Sequence, residues 1–463
     1  MKILYRVLSF PLNKKNIRIQ ISVIALICIT LIVLVIKDGH NMWGGDFSLY
    51  VSQAKSINDG TLFELYEYNK FSMQNSSKIM GPYLYPIGYP LLISPIVYFF
   101  GLNFIALKLF TSLFLIFSIP LLYQLFNKQL SNKQILIVIS LTVLNPNIIV
   151  LTDSILSDIP FLFFCLLVFF LINRSKSLFS FILLGICLFF TYSIRDIGIV
   201  LIPSLLTYQV LNKKWNFKYI ITYVTFSFLY FFTKLFLPNG SENHLEMLFS
   251  NLTFNLIFSN FIYYLSLLSK ILFFFNSSLL GLVVFFFLFL GINKNWKKNF
   301  HYAIFLLLYM SILLIWPSRQ GIRFLVPLIP IIIYFIVLGV DCVVSNNVFL
   351  KYTSYIYISI FILTSLIVGP YKYVTKQTNE VYTKEMKEIY SYISKNLSNS
   401  IIAYKKPRTL YLFTNVKSIY ESSETFSNSK ADYILISKTD NKNSILERKH
   451  IHKEFDHYIL LKK

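Results

Sequence analysis

IQISVIALICITLIVLVIKDGHNMWGGDFSLY, Ile19 to Tyr50, decides how the rest of the chain is read. Its first part, Ile19 to Ile36, is an apolar run long enough to cross a hydrocarbon core of about 30 Å as a helix. A basic start precedes it, and the run is too long for a leader and lacks a small-residue cleavage site. It therefore reads as a retained anchor. Directly behind it stand Gly44, Gly45 and Asp46, followed by Phe47 and Tyr50. An acid there is conspicuous, because the 463 residues hold 21 Asp and Glu against 43 Lys and Arg.

The composition agrees with a membrane chain. Mean hydropathy is +0.61, and only 14% of residues are charged. A soluble chain of this size keeps far more charge on its surface. Apolar stretches of roughly 16 to 22 residues recur as far as Gly369, and helices are the economical way to place them in lipid. The expected fold is an all-α polytopic membrane protein with about 11 spans, or 13 if doubtful stretches cross twice. The net charge of +22 does not indicate nucleic acid. In the membrane part its cations cluster between spans, as the positive-inside bias requires. The four cysteines are isolated within apolar spans and lack metal-ligand spacing. No cluster of His or acids suggests a metal.

Basic loops fix the expected topology. Lys2, Arg6, Lys14, Lys15 and Arg18 place the N-terminus inside, so residues 38 to 82 form the first outer loop. Further basic loops follow at Lys128/Lys133, Arg174/Lys176, Lys213/Lys214/Lys218, Lys294/Lys297/Lys298 and Lys351. Two stretches strain this count. Residues 83–126 hold two apolar runs but must make one net crossing, and the first run, PYLYPIGYPLLISP from Pro82, contains four prolines. Residues 252–276 are expected to form an interfacial helix, a re-entrant hairpin or two crossings, but not one. From 374 to 463 the character changes to a small α/β domain outside the membrane. EVYTKEMKEIYSYISKNL is its amphipathic helix, SIIAY and ADYILIS are strands, and HYILLK is a candidate third strand.

This topology gathers Asp46, Asp153, Asp158, Arg195, Asp196, Arg319 and Arg323 on the outer face. Charge at membrane depth is costly and usually faces a cavity or another charge. Asp46 is a candidate general base, and its bland alternative is a cap on the helix SLYVSQAKSI. Arg195 suits a lipid phosphate or snorkels beside Asp196. Arg319 and Arg323, four apart at a helix start, would share one face and bracket an anion. Asp158, just before Ile159 and Pro160, reads as an N-cap, whereas Asp153 is less easily explained. Tyr50, Tyr83 and Tyr85 are candidates for a substrate entrance, against an interfacial aromatic belt as the plainer account.

Four segments together resemble a known family: GGDFSLYVSQAKSINDG, PYLYPIGYPLLISPIVYFFG, IRDIGIVLIPSLLTY and RQGIRFLVPLIPIII. They are similar to integral-membrane glycosyltransferases of the GT-C fold, in the dolichyl-phosphate-mannose protein mannosyltransferase-like and aminoarabinose-transferase-like superfamily. KPRTLYLFTNVKSIY in the tail is similar to the end of many such proteins. The resemblance implies a GT-C module over residues 1–373 and inverting sugar transfer from a polyprenyl-phosphate donor on the outer membrane face. Asp46 would be the base, and Arg195 with Arg319 or Arg323 would hold the lipid phosphate. No cofactor is implied. Phe47 stands where many relatives carry a second acid. A polysaccharide polymerase or ligase is the nearest alternative, though the largest outer loop here follows the first span. A transporter or flippase should show internal repeats, and none is convincing.

Overall fold

The computed structural model describes residues 14–39, 45–78, 81–212, 217–238, 252–294, 296–344, 356–357, 359–368, 371, 381–422, 426, 429–438 and 450–463. Lys2, Arg6, Gly44, Lys213, Lys214 and Lys351 lie outside the described residues.

The chain is a multi-pass membrane protein built around a helical bundle. Its elements are α1 (Lys14–Val35), α2 (Asp46–Asp59), α3 (Leu62–Gln74), α4 (Gly88–Phe100), α5 (Phe104–Phe126), α6 (Asn132–Val143), α7 (Pro146–Leu151), α8 (Asp158–Arg174) and α9 (Leu178–Ile194). There follow α10 (Leu201–Leu211), α11 (Lys218–Phe236), α12 (Phe254–Phe273), α13 (Ser278–Lys294), α14 (Trp296–Ile315), α15 (Ile329–Val344) and α16 (Ser359–Val368). Short 3-10 segments, Asp196–Val200 and Gly321–Leu328, precede α10 and α15. Among the described residues, seven helical stretches are long and apolar enough to cross a membrane. The stretches Asn132–Leu151 and Gly321–Val343 are 72% buried inside the bundle, whereas Lys218–Phe236 is 17% buried. The first two are therefore central, and α11 turns Phe228, Phe231 and Leu235 outward as lipid-facing surface.

The two difficult stretches resolve physically. Residues 83–126 become α4 and α5, joined at Gly101, whose φ of +59° suits a residue without a Cβ. With 13 residues, α4 is about 20 Å long, too short to span. Its tip leaves Tyr98, Phe99 and Phe100 exposed, and of the two helices α5 is the one long and apolar enough to cross a membrane. Residues 252–276 hold the single helix α12, which removes the hairpin and two-crossing expectations. Asn260 near its start donates to Leu314 O and Trp316 O at the end of α14, both at 2.9 Å. Asn145, at the break between α6 and α7, donates to Ile271 O near its other end at 2.9 Å. These contacts tie its start to the end of α14 and its far end to the α6–α7 break, and by length and composition it is a candidate for a single crossing.

Glycines set the closest helix approach. A Cβ on Gly291 of α13 would lie 1.8 Å from Phe335 O, and one on Gly339 of α15 would lie 1.9 Å from Phe287 O. Only hydrogen fits there, and the two helices run parallel with backbones in contact.

The C-terminal part comprises α17 (Lys384–Asn396), α18 (Pro407–Thr414) and five strands: β1 (Ile402–Tyr404), β2 (Ser418–Ile419), β3 (Tyr433–Ser437), β4 (His450–Glu454) and β5 (Tyr458–Lys462). Thr383 caps α17 by accepting from Met386 N, and Met386, Ile389, Tyr390 and Ile393 form its buried stripe. The sheet order is β2-β1-β3-β5-β4. β1 pairs parallel with β2 and β3, while β5 pairs antiparallel with β3 and β4. This part docks on the segment that begins with Asp46. Tyr411 of α18 stacks on Tyr68 of α3 with ring centres 3.6 Å apart. Ser72 also donates to Ser418 O at 2.7 Å.

Candidate active site

Asp46 is the first residue of α2, and its carboxylate makes no capping hydrogen bond. The capping alternative is therefore not what the side chain does. Its position in the first turn does favour the charge, because the helix dipole is positive there. Oδ1 accepts from the Tyr85 hydroxyl at 2.6 Å, and Oδ2 accepts from Arg323 Nη1 at 2.8 Å. The side chain remains 25% exposed, so a second reactant can reach it.

Tyr85 is fixed from three directions. Gln53 of α2 donates to its carbonyl and accepts from its N–H, both at 2.9 Å. Its ring stacks on Tyr50 at 4.5 Å between centres. Burial, with the Asp46 carboxylate adding to it, pushes the Tyr85 hydroxyl well above its ordinary value, so it stays a donor. Burial likewise raises the Tyr50 hydroxyl to about 12. Tyr50 is 3% exposed, and its hydroxyl lies 3.0 Å from Ser157 Oγ. Tyr50 is thus buried beneath the carboxylate, whereas Tyr85 is half-buried and faces open space. A cavity of about 90 Å³ opens beside Tyr85, bounded by Gln53, Tyr192, Asp196 and Lys234.

Asp158 overturns the expectation of a simple N-cap. It is the first residue of α8, and Ser157 holds the cap position. Its buried carboxylate joins two arginines: Oδ2 accepts from Arg323 Nε at 2.7 Å, and Oδ1 accepts from Arg195 Nη1. Proline two residues later is tolerated because first-turn N–H groups have no helical partner. Arg195 reaches this point because the chain leaves α9 in extended conformation, with φ −152° and ψ 128°. Its guanidinium then lies over the Phe324 ring at 5.1 Å. Asp46, Arg323, Asp158 and Arg195 thus form a continuous chain of alternating charge with no formal net charge.

Arg319 and Arg323 do not share an α-helical face. The helix there is 3-10 and starts only at Gly321, whose φ of +65° turns the chain between the two arginines. Arg323 points into the carboxylates and is 4% exposed. Arg319 is exposed, donates to Asn260 Oδ1 at 2.9 Å and lies over the Tyr263 ring at 5.0 Å. Both of these partners are neutral.

Two expected residues are not brought to this group. Tyr83 packs edge-on against Tyr66, with ring centres 5.8 Å apart. Asp153 is 1% exposed and pairs with the equally buried Lys108 at 2.7 Å. Asp153 Oδ1 accepts from Lys37 N at 2.8 Å, while Lys108 donates to Lys37 O at 2.7 Å and to Gly39 O. This pair pins the end of α1, from which the chain sets out toward Asp46. It is a brace, not an entrance.

Arg408 of α18 is the residue that sequence patterns missed. It is 6% exposed and donates through Nη2 to Pro82 O at 2.6 Å. A Cβ on Gly45, immediately before Asp46, would lie 3.4 Å from its Cδ. Among the described residues, no group of three or more His, Cys, Asp or Glu converges to hold a metal.

No protein-family model and no curated protein sequence matches the chain. Solved structures do. ArnT from Cupriavidus metallidurans bound to undecaprenyl phosphate superposes with a TM-score of 0.61 at 10% identity, covering 97% of this chain and 98% of that one. The Archaeoglobus fulgidus oligosaccharyltransferase gives a TM-score of 0.57 at 10% identity, covering 90% of this chain and 68% of that one. The chain has the GT-C fold. At this identity the likeness concerns architecture, and chemistry has to be argued from the side chains just described.

Proposed function

We propose that the protein is a membrane glycosyltransferase that moves a sugar from a polyprenyl-phosphate-linked donor to an acceptor hydroxyl, inverting the anomeric carbon. The site side would face outward from the cytoplasmic membrane, with the N-terminus inside. Residues 1–373 would be the catalytic module and 374–463 an extracytoplasmic domain. The observation that carries this reading is a partly exposed carboxylate at the head of α2, held by Tyr85 and Arg323, with Arg319, four residues before Arg323, paired with no acid among the described residues.

A carboxylate has about four lone-pair directions, and Asp46 uses two in these contacts. The remainder can take the proton from an acceptor hydroxyl as its oxygen attacks the anomeric carbon. The carbon–oxygen bond to phosphate breaks on the opposite face, and its electron pair leaves on the phosphate. Cations at the departing phosphate lower the barrier by meeting the charge where it develops. Arg319 is best suited to that role because no acid among the described residues matches its charge. Arg323 and Arg195 would contribute the field of the quartet. The membrane accommodates the prenyl chain, and the lipid-linked donor is already activated, so no cofactor enters the scheme.

The donor half is tested by titrating undecaprenyl phosphate into the protein in nanodiscs. Saturable binding is expected, weakened roughly 10- to 100-fold by Arg319→Gln, the loss expected for a hydrogen bond to a charged group. Partitioning that never saturates, or equal affinity in both proteins, removes Arg319 from the donor site.

A further inference from the structure

Beside the site, two arginines have no acid among the described residues. Asp46, Asp158, Arg195 and Arg323 balance among themselves. Arg319 remains on the α12 and α14 side, and Arg408 remains on the side of the C-terminal domain. Arg408 is the more unusual of the two. An arginine is rarely buried to this degree without a carboxylate, because removing a guanidinium from water is costly. Among the described residues it has no ion-pair partner. Nη2 meets Pro82 O and lies 3.8 Å from Met73 Sδ, while Nη1 and Nε donate to none of these residues.

Its position is over-determined. Thr409 lies 3.4 Å from Ser48 Oγ, Tyr411 stacks on Tyr68, and Ser418 Oγ donates to Pro407 O at 2.7 Å. Gly45 and Gly81 lie alongside its stem and guanidinium at ordinary contact distance, and Gly81 has a φ of +95°. A rigid fork with spare donors, held against the residue before the proposed base, is suited to planar or tetrahedral oxyanions.

We propose that Arg408 binds the acceptor, and that the acceptor carries an oxyanion, phosphate or carboxylate, close to the hydroxyl that receives the sugar. This rests on the glycosyltransferase assignment. The donor phosphate has Arg319 on the far side of the neutral quartet, so the cation on the domain side belongs to the other substrate. The C-terminal domain is then part of the site and not only a cover.

The test is ligand-induced thermal stabilisation of the full-length protein in nanodiscs. Glycerol 3-phosphate and glucuronate serve as oxyanionic probes, glycerol and glucose as neutral controls, and undecaprenyl phosphate as the donor-side probe. In wild type both oxyanions should raise Tm saturably, and the neutral controls should not. Arg408→Gln should lose that rise while keeping the response to undecaprenyl phosphate. Arg408→Lys, useful if the glutamine variant does not fold, should need at least about 10-fold more probe, because an ammonium lacks the fork. A purely structural Arg408 would lower the resting Tm and leave the probe response intact. That result overturns the proposal, as does the absence of any rise in wild type. Loss of the undecaprenyl phosphate response alone in Arg408→Gln would assign Arg408 to the donor and overturn it too. A wild type that ignores undecaprenyl phosphate but answers the oxyanions counts against the donor assignment and leaves Arg408 standing.

Discussion

Replacing Asp158 by Asn keeps the shape of the side chain and removes the charge that holds Arg195 and Arg323. Both arginines are largely or fully buried, at 14% and 4% exposure, and Asp158 is at 1%. Solvent cannot compensate at such positions. Removing one partner of a buried pair costs about 3–5 kcal/mol, since an uncompensated charge stays behind. Here the quartet would pass from no net charge to one excess positive charge. Asp158→Asn should therefore lose about 3–5 kcal/mol in reversible unfolding in mixed micelles. Arg195→Gln alone leaves the carboxylate with Arg323 and should cost less. The double variant should cost less than the sum of the two, the mark of coupled neighbours. A cost below about 1 kcal/mol for Asp158→Asn, or strict additivity, would refute the claim that this carboxylate organises the arginines.

Further predictions address single contacts. Tyr85→Phe deletes the hydrogen bond to Asp46 while leaving the stack on Tyr50, so transfer should fall roughly 10- to 100-fold with little change in unfolding; a rate within twofold of wild type contradicts the role. Tyr50 has a folded-state value of about 12 against about 10 unfolded, so its contribution to stability is full below about pH 10 and is lost as pH rises through 12. Absorbance titration of wild type against Tyr50→Phe should show one phenol fewer ionising in that upper range. Gly291→Ala places a methyl where Phe335 O already lies and should destabilise by more than about 1–3 kcal/mol, the usual cost of overpacking; normal stability would contradict parallel contact of α13 and α15.

Legibility in the sequence depended on distance along the chain. Asp46 stood out because glycines, a helix start and a preceding span all lie within a few residues of it. The arginines stood out because charges at span ends are rare and need an explanation. Asp158 was hidden by its own neighbourhood, where Ile159 and Pro160 supply a complete local account, while its partners lie 37 and 165 positions away. Arg319 and Arg323 misled through period: four residues share a face in an α-helix, but Gly321 and a 3-10 helix break that rule. Arg408 lies in the quoted tail segment KPRTLYLFTNVKSIY, but its role stayed hidden because its neighbours Pro82 and Gly45 belong to a distant segment. The bundle was more legible than the site, since lipid imposes apolar length on each span locally, whereas charge pairing is non-local. Even so, the basic loops argued against a single crossing by residues 252–276, whereas they fold as one helix, α12, long and apolar enough to cross.

The central claim is that Asp46 takes a proton during sugar transfer. The measurement is transfer of radiolabelled hexose from polyprenyl-phosphate donors to a cell-envelope acceptor fraction, by reconstituted wild type and by Asp46→Asn. Asparagine keeps the shape but cannot serve as the base, and loss of general base catalysis typically costs 10²–10⁴-fold. The account predicts transfer by wild type and a loss of that size in the variant, with undecaprenyl phosphate binding retained. Equal transfer by the two proteins would contradict it.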